Sequence, residues 1–302
     1  MSAFNLIDMA KVPVPDVIER PDFETKYLEL KTLFLKFNPV YQQALDLESD
    51  PVNLLLQTFA YRELVLIEKI NAATRGNMLA TASGHDLDAI AARYNITRLV
   101  VQEDPVELEQ DEPFKRRIQM SFNGLNTAGS SDSYVYHALS ASVDVLDADA
   151  TSPSACNMVL TILARKNKGV ASADLLAKVR KYFGLNADGS QALEASKIRP
   201  IGDRLSVVAA NIVDYVVDAE LSILPGPATS VVVNAAQTAV EQYTEAQFRL
   251  GYDITRSGLF AALHQAGVHN VNLISPASDL IISHKQAGSC RGINIRAAGS
   301  GV

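Results

Sequence analysis

The sequence predicts an α+β protein, with an N-terminal long-helix bundle region followed by two small tandem α+β domains. Three observations carry this. From Pro51 the chain runs to Arg75 without Pro or Gly, behind an Asp50-Pro51 start that pairs an N-cap residue with proline at the first helical position. Beyond residue 113, short apolar runs interleave with amphipathic helical patterns. Val213, Tyr215, Val217, Ala219, Leu221 and Ile223 alternate with Asp214, Val216, Asp218, Glu220 and Ser222, which reads as a strand with one wet face. The expected division is 1–100 helical arm and bundle, 101–113 acidic linker, 114–210 first α+β domain and 211–302 second α+β domain.

Met1 to Pro21 carries Pro13, Pro15 and Pro21 and reads as an extended arm with one helical turn at most. Asp22 opens a helix to about Phe37, in which Phe23, Tyr27, Leu30, Phe34 and Phe37 repeat at 4/3/4/3. Asn38-Pro39 ends it, and a short helix from Val40 to Leu47 leads to the long one. A helix from Pro51 to about Ala82 would be roughly 45–50 Å long at 1.5 Å per residue. Val52, Leu56, Phe59, Leu66, Ile70 and Ala73 form one apolar stripe on it, and Leu54, Tyr61, Val65, Ala72 and Leu79 a second, nearly opposite. Two stripes need partners on two sides, either the chain's own bundle or one shared with other chains. Gly84 stops the chain, Asp86 caps again, and Leu87 to Tyr94 closes the helical region.

Gln102 to Pro113 holds Glu103, Asp104, Glu107, Glu109, Asp111 and Glu112 with no basic residue, and reads as a solvated linker. A calcium loop would need a turn glycine, and none is there. Helices are expected at Phe114 to Phe122, Ser131 to Ala141, Ser172 to Phe183, Val232 to Leu250 and Thr255 to His264. Strands are expected at Val143 to Ala150, Met158 to Ala164, within Ile198 to Ala210, at Val268 to Ile274 and at Ser289 to Ala297. Gly184 to Lys197 reads as a loop, and Gly299 to Val302 as a tail. The order helix, strand, Ser-Pro turn, strand occurs around Ser152-Pro153 and again around Ser275-Pro276, as two domains on one plan would give.

Composition bounds function. The net charge of −7 argues against a nucleic-acid groove, which needs a basic footprint. Cys156 and Cys290 cannot build a disulfide framework, and no CxxC is present. No basic-then-apolar leader and no membrane span is read, so folding in a reducing cytoplasm is expected. No catalytic set, metal site or cofactor motif stands out. His85, His137, His264, His269 and His284 make no metal-ligand spacing, and their default role is packing or surface. Lys115-Arg116-Arg117 reads as a solvated helix face, with a phosphate contact as its alternative. Gly288-Ser289-Cys290-Arg291-Gly292 has nucleophile-elbow spacing, but the alternating Ile293-Asn294-Ile295-Arg296 follows where an elbow needs a helix. An enzymatic alternative is a cysteine hydrolase using Cys290, which would need that thiol exposed beside a histidine.

Several motifs in order carry a resemblance. They include Leu47-Glu48-Ser49-Asp50-Pro51, Ala60-Tyr61-Arg62-Glu63-Leu64, Ile70-Asn71-Ala72-Ala73, and Ser83-Gly84-His85-Asp86-Leu87-Asp88. Phe114-Lys115-Arg116-Arg117, Thr127-Ala128-Gly129-Ser130, Leu224-Pro225-Gly226-Pro227 and Arg249-Leu250-Gly251-Tyr252-Asp253-Ile254 continue them. Together they resemble the baseplate J family of contractile phage tails and tailocins over nearly the whole chain. The resemblance implies a structural, non-enzymatic subunit without cofactor. Two copies and one tail protein I-like partner would form a triangular wedge. Six wedges would close a ring around the spike hub, contact sheath-initiator baseplate proteins, and open to trigger sheath contraction. It implies assembly in the bacterial cytoplasm and residence in the virion tail baseplate. On this reading the partner-helix interface is Phe23, Tyr27, Leu30, Phe34, Leu54, Leu56, Phe59, Tyr61, Leu66 and Ile70. The C-terminal ring interface is Arg249, Tyr252, Asp253, Arg256 and Phe260. A flexible acidic linker would let the two copies of a wedge take different poses.

Overall fold

A computed structural model describes residues 6–13, 15, 17–20, 22–126, 128–190, 196–226 and 228–300. The start of the expected arm, its positions Val14, Asp16 and Pro21, Thr127, part of the 184–197 loop, Pro227 and the last two residues of the expected tail lie outside them. The chain divides into a helical unit, Leu6–Arg98 with Gln110–Lys115, and a sheet unit, Leu99–Glu109 with the chain from Arg116 onward.

The helical unit is built on α1 (Phe23–Phe37), α2 (Gln42–Leu45), α3 (Pro51–Gly76) and α4 (Gly84–Ala92). Asp22 and Asp50 cap α1 and α3 through their carboxylates, as the sequence predicts. The arm holds one helical turn, Met9–Lys11, capped by Asp8. α3 ends at Gly76, not near Ala82. The Asn77 side chain donates to the Ala73 carbonyl at 2.9 Å, and a Cβ on Gly76 would stand 2.6 Å from the Asp86 carboxylate. The chain must turn there so that α4 can pack. α4 begins at Gly84 itself, whose N–H donates to Asp111 Oδ2 at 3.2 Å. Arg98 bridges Asp88 and Asp111, each at 2.6 Å, and lies over the Phe114 ring.

In the sheet unit, the expected acidic linker is folded. Val100–Glu103 (β1) and Val106–Leu108 (β2) form an antiparallel hairpin, and Asp111 already opens a helix, α5 (Asp111–Gln119). Glu109 closes the hairpin's base and forms a buried ion pair with Arg117. The charges that read as solvation are thus partly neutralised by the basic residues that follow. Lys115-Arg116-Arg117 is likewise no free basic face, because each member has an acidic partner.

The first sheet has the order β3-β4-β5, from Val145–Ser154, Asn157–Ala164 and Arg204–Ala209. β4 is antiparallel to β3 and parallel to β5, with α7 (Ala173–Tyr182) as crossover and α6 (Ser131–Ala141) against β3. Leu160, Thr161 and Ile162 are buried in sequence, as expected of a strand covered on both faces. The second sheet has the order β7-β6-β8, from Val268–Ser275, Asn211–Ile223 and Gln286–Ser300. β6 carries the predicted alternation, with Tyr215, Val217, Ala219, Leu221 and Ile223 inward against α8 (Thr229–Gln247) and α9 (Arg256–Leu263). α8 stops at Gln247, short of Leu250, because Leu250 pairs with Ala287 as a β-bridge.

The two sheets do not repeat one plan. The first runs α-β-β-α-β and the second β-α-α-β-β. Ser152-Pro153 lies inside β3, whose hairpin turn is Ala155-Cys156 with Cys156 at φ +59°, while Ser275-Pro276 ends β7. The chain passes from one sheet to the other through the buried Ala210 alone.

Asp147 of β3, 1% exposed, ties the two sheets. Its Oδ1 accepts from Arg116 at 2.7 Å and its Oδ2 from the Leu250 N–H at 3.1 Å. Asp147→Ala would leave the Arg116 guanidinium without its carboxylate and the buried Leu250 N–H without an acceptor, and should cost roughly 3 kcal/mol in a denaturant titration. His137 of α6 is buried among Tyr136, Tyr182 and Phe183, and burial holds its imidazole below the ordinary 6.5. The unfolded chain therefore takes up that proton first as pH falls. The contribution is intact above about pH 6.5 and is lost below it, so Tm should fall on acidification from there. His137→Leu should flatten that slope, as read by thermal melts across the pH series.

Candidate assembly interfaces

The long helix α3 turns inward a third face that shares only Leu56 with the predicted stripes. Asn53, Leu56, Ala60 and Asn71 are its buried residues. Two asparagines fasten it to the rest of the helical unit. Asn53 Nδ2 donates to the Leu47 carbonyl at 3.0 Å, and its Oδ1 accepts from the Tyr27 hydroxyl. Asn71 Nδ2 donates to the Glu19 carbonyl at 2.9 Å, and its Oδ1 accepts from the Glu19 N–H at 3.2 Å. That amide copies a backbone pairing and lays the arm along α3. Sequence reasoning missed both anchors. Their signal was faint: two asparagines 18 residues apart, five helical turns, on the line that also holds Leu56 and Ala60.

The predicted partner-helix residues therefore separate. Phe23, Tyr27, Leu30 and Phe34 are half-buried in α1, which packs on α3, and Leu56 is buried between them. Phe23 stacks on Tyr27 with centroids 6.3 Å apart, and Phe34 tilts on Tyr41 at 5.9 Å. Leu54, Phe59, Tyr61, Leu66 and Ile70 stay exposed, as do Leu55 of α3 and Leu28, Leu33 and Phe37 of α1. Phe59 is 55% exposed and Ile70 56%. Tyr61, Leu64, Val65, Glu68, Lys69 and Ala72 line a shallow groove along one face of α3, with an apolar floor. Large apolar side chains are thus left to water on two faces of α3, and covering each is worth about 1.5–3 kcal/mol.

The expected ring residues have neighbours inside the sheet unit. Asp253 Oδ1 accepts from the Ile282 N–H at 2.7 Å. Arg256 donates to the Leu273 carbonyl at 3.0 Å and to the Pro276 carbonyl, and stacks on Phe260. These three shape the loop around α9. Tyr252 is exposed, and Arg249 is half-buried beside Arg116 and Arg165. Burial first, and then Arg116, pull the Arg249 guanidinium below its ordinary value.

Cys290 sits within β8, opposite Tyr215 of β6, with its thiol donating to the Gly292 carbonyl at 3.3 Å. The strand continues to Ser300, so the strand-to-helix turn of an elbow is not formed. Cys156 is exposed at the β3–β4 turn. Among the described residues no cluster of metal-ligating side chains forms, and no helix is long and apolar enough to cross a membrane.

The Baseplate J-like N-terminal domain matches residues 48–104, which include α3, and the Baseplate J-like central domain matches residues 126–209, the first sheet. Baseplate protein J of Escherichia phage P2 is 40% identical over 308 residues, spanning 98% of this chain and 99% of that protein. A chain in the cryo-EM structure of the anti-feeding prophage (AFP) baseplate, 6-fold symmetrised, aligns at 12% identity with a TM-score of 0.41. That alignment covers 60% of this chain and 42% of that one, a likeness too slight to carry an argument. On identity along its whole length, the chain belongs to the baseplate J family of tail-baseplate structural proteins.

Proposed function

We propose that this chain is a wedge subunit of a contractile-tail baseplate. Two copies join one tail protein I-like partner in a triangular wedge. Six wedges close a ring around the spike hub, contact the sheath-initiator proteins, and open to release sheath contraction. Assembly takes place in the host cytoplasm, and the mature location is the virion or tailocin baseplate. The observation that supports this reading is the uncovered apolar surface of α1 and α3, which one chain leaves to water at Leu54, Phe59, Tyr61, Leu66 and Ile70. Helices from further subunits, one packed along the groove from Tyr61 to Ala72 and one over the Phe59, Leu66 and Ile70 face, would cover it. The ring contact is assigned to the second sheet and α9, with Tyr252 at its surface.

Native mass spectrometry of the chain, alone and co-expressed with the partner, tests the stoichiometry. A two-to-one complex is expected, and a monomer indifferent to the partner rejects the wedge. Phe59→Asp and Ile70→Asp locate the surface. Because both side chains are already exposed in the single chain, its melting temperature should barely move. Complex formation should be lost, since a charge buried unpaired in an apolar seam costs several kcal/mol. Complexes formed by both variants at wild-type yield would remove the Phe59 and Ile70 face of α3 from the interface.

A further inference from the structure

We infer that the acidic β1–β2 hairpin of one copy docks on a basic patch formed by Arg165, Lys168 and Arg249 of a second copy. Both surfaces belong to the sheet unit, so the inference does not depend on the helical wedge contacts.

The hairpin is the less self-sufficient of the two. It has only two strands, and every residue from Val101 to Leu108 is exposed. An isolated two-stranded ribbon is marginal in water without something to cover it. Val101 and Val106 offer apolar area, and Glu103, Asp104 and Glu107 offer three carboxylates. Among the described residues none of these three acids has a basic partner. Glu109, at the base, is neutralised by Arg117.

The patch is the reverse. The turn after β4 carries Arg165, Lys166 and Lys168, with Lys168 at φ +56°. A Cβ on Gly169 would meet the Phe248 ring at 2.8 Å, so this turn lies against the segment that holds Arg249. Two acids stand nearby, and both are engaged. Asp144 pairs with Lys166 at 3.0 Å, while Asp147 is taken up by Arg116 and the Leu250 N–H. The Arg165 guanidinium donates to the Val143 carbonyl. Arg165, Lys168 and Arg249 therefore form no ion pair among the described residues, with only the field of the already engaged Asp147 acting on Arg249. Val170 and Tyr252, both exposed, give apolar area beside them.

Three unpaired carboxylates with apolar flanks on one surface match three unpaired cations with apolar flanks on another. Identical copies carry both, so the contact either closes reciprocally in a two-fold pair or runs head-to-tail from copy to copy, the kind that closes rings.

Sedimentation velocity of the full chain tests this at about 0.05 M and about 0.5 M salt, where screening lengths differ by roughly a factor of three. The expected result is self-association that weakens about tenfold at the higher salt, as contacts between exposed charges do. Arg165→Glu with Lys168→Glu should abolish it at low salt, as should Glu103→Lys with Glu107→Lys. Mixing the two double variants should restore a complex that neither forms alone. Arg249→Gln should weaken association without changing far-UV circular dichroism. A monomeric wild-type chain at low salt overturns the inference, and so does failure of the mixed variants to pair. Association that survives every charge reversal and strengthens with salt also overturns it; that outcome assigns self-contact to the α1 and α3 surface and leaves the wedge reading standing. Binding of an oligonucleotide or inorganic phosphate at the patch with no self-association would make it an anion site instead and overturn the copy-to-copy contact.

Discussion

α3 is a 26-residue helix held along one face only, and the helical unit is arranged around that constraint. Its inward line is short of large apolar side chains and is fixed by two asparagine amides, one to the loop before it and one to the N-terminal arm. Polar anchors set position without consuming the large side chains. Leu54, Phe59, Leu66 and Ile70 are thereby left outward on a helix that is already registered and rigid. A surface ordered in advance loses less conformational entropy on binding than one that must order itself. The helical unit thus carries its apolar surface in a form suited to assembly.

The sheet unit solves a different problem. Two three-stranded sheets, each covered by its own helices, share one strand path through Ala210. Asp147 supplies the connection, because it is buried and both of its oxygens are satisfied across the junction. Such a bond is costly to break and specifies one arrangement. Its two oxygens are thereby taken up, so it acts on Arg249 only through its field. The unpaired cations of the patch follow from the way the sheets are fastened.

Much of the fold was legible from pattern. The Asp22 and Asp50 caps, the β6 alternation, the doubly covered β4 and the cap at Thr255 all depend on neighbours in the chain, so the chain displays them. The errors came where a distant partner overrides local character. Six acids between Gln102 and Pro113 read as solvent-loving, yet Glu109 and Asp111 are held by Arg117 and Arg98. The echo around the two Ser-Pro pairs reflects similar local sequence, whereas connectivity is set by which strands meet. In the candidate interfaces, the apolar content of α3 was visible, but not which face its own chain would take. Of the expected ring residues, Asp253 and Arg256 are polar groups on a loop in the sequence and internal braces in the structure.

The sequence by itself determined the secondary elements, the class and the family, because caps, periodicity and ordered motifs are local or linear properties. Tertiary structure alone decided which charges are spent inside the molecule and which remain outward. An acid or a base carries no mark in sequence of the partner it will meet across the fold. The same holds for the third face of α3, since its burial rests on Asn53 and Asn71 finding carbonyls in segments that only folding brings beside them.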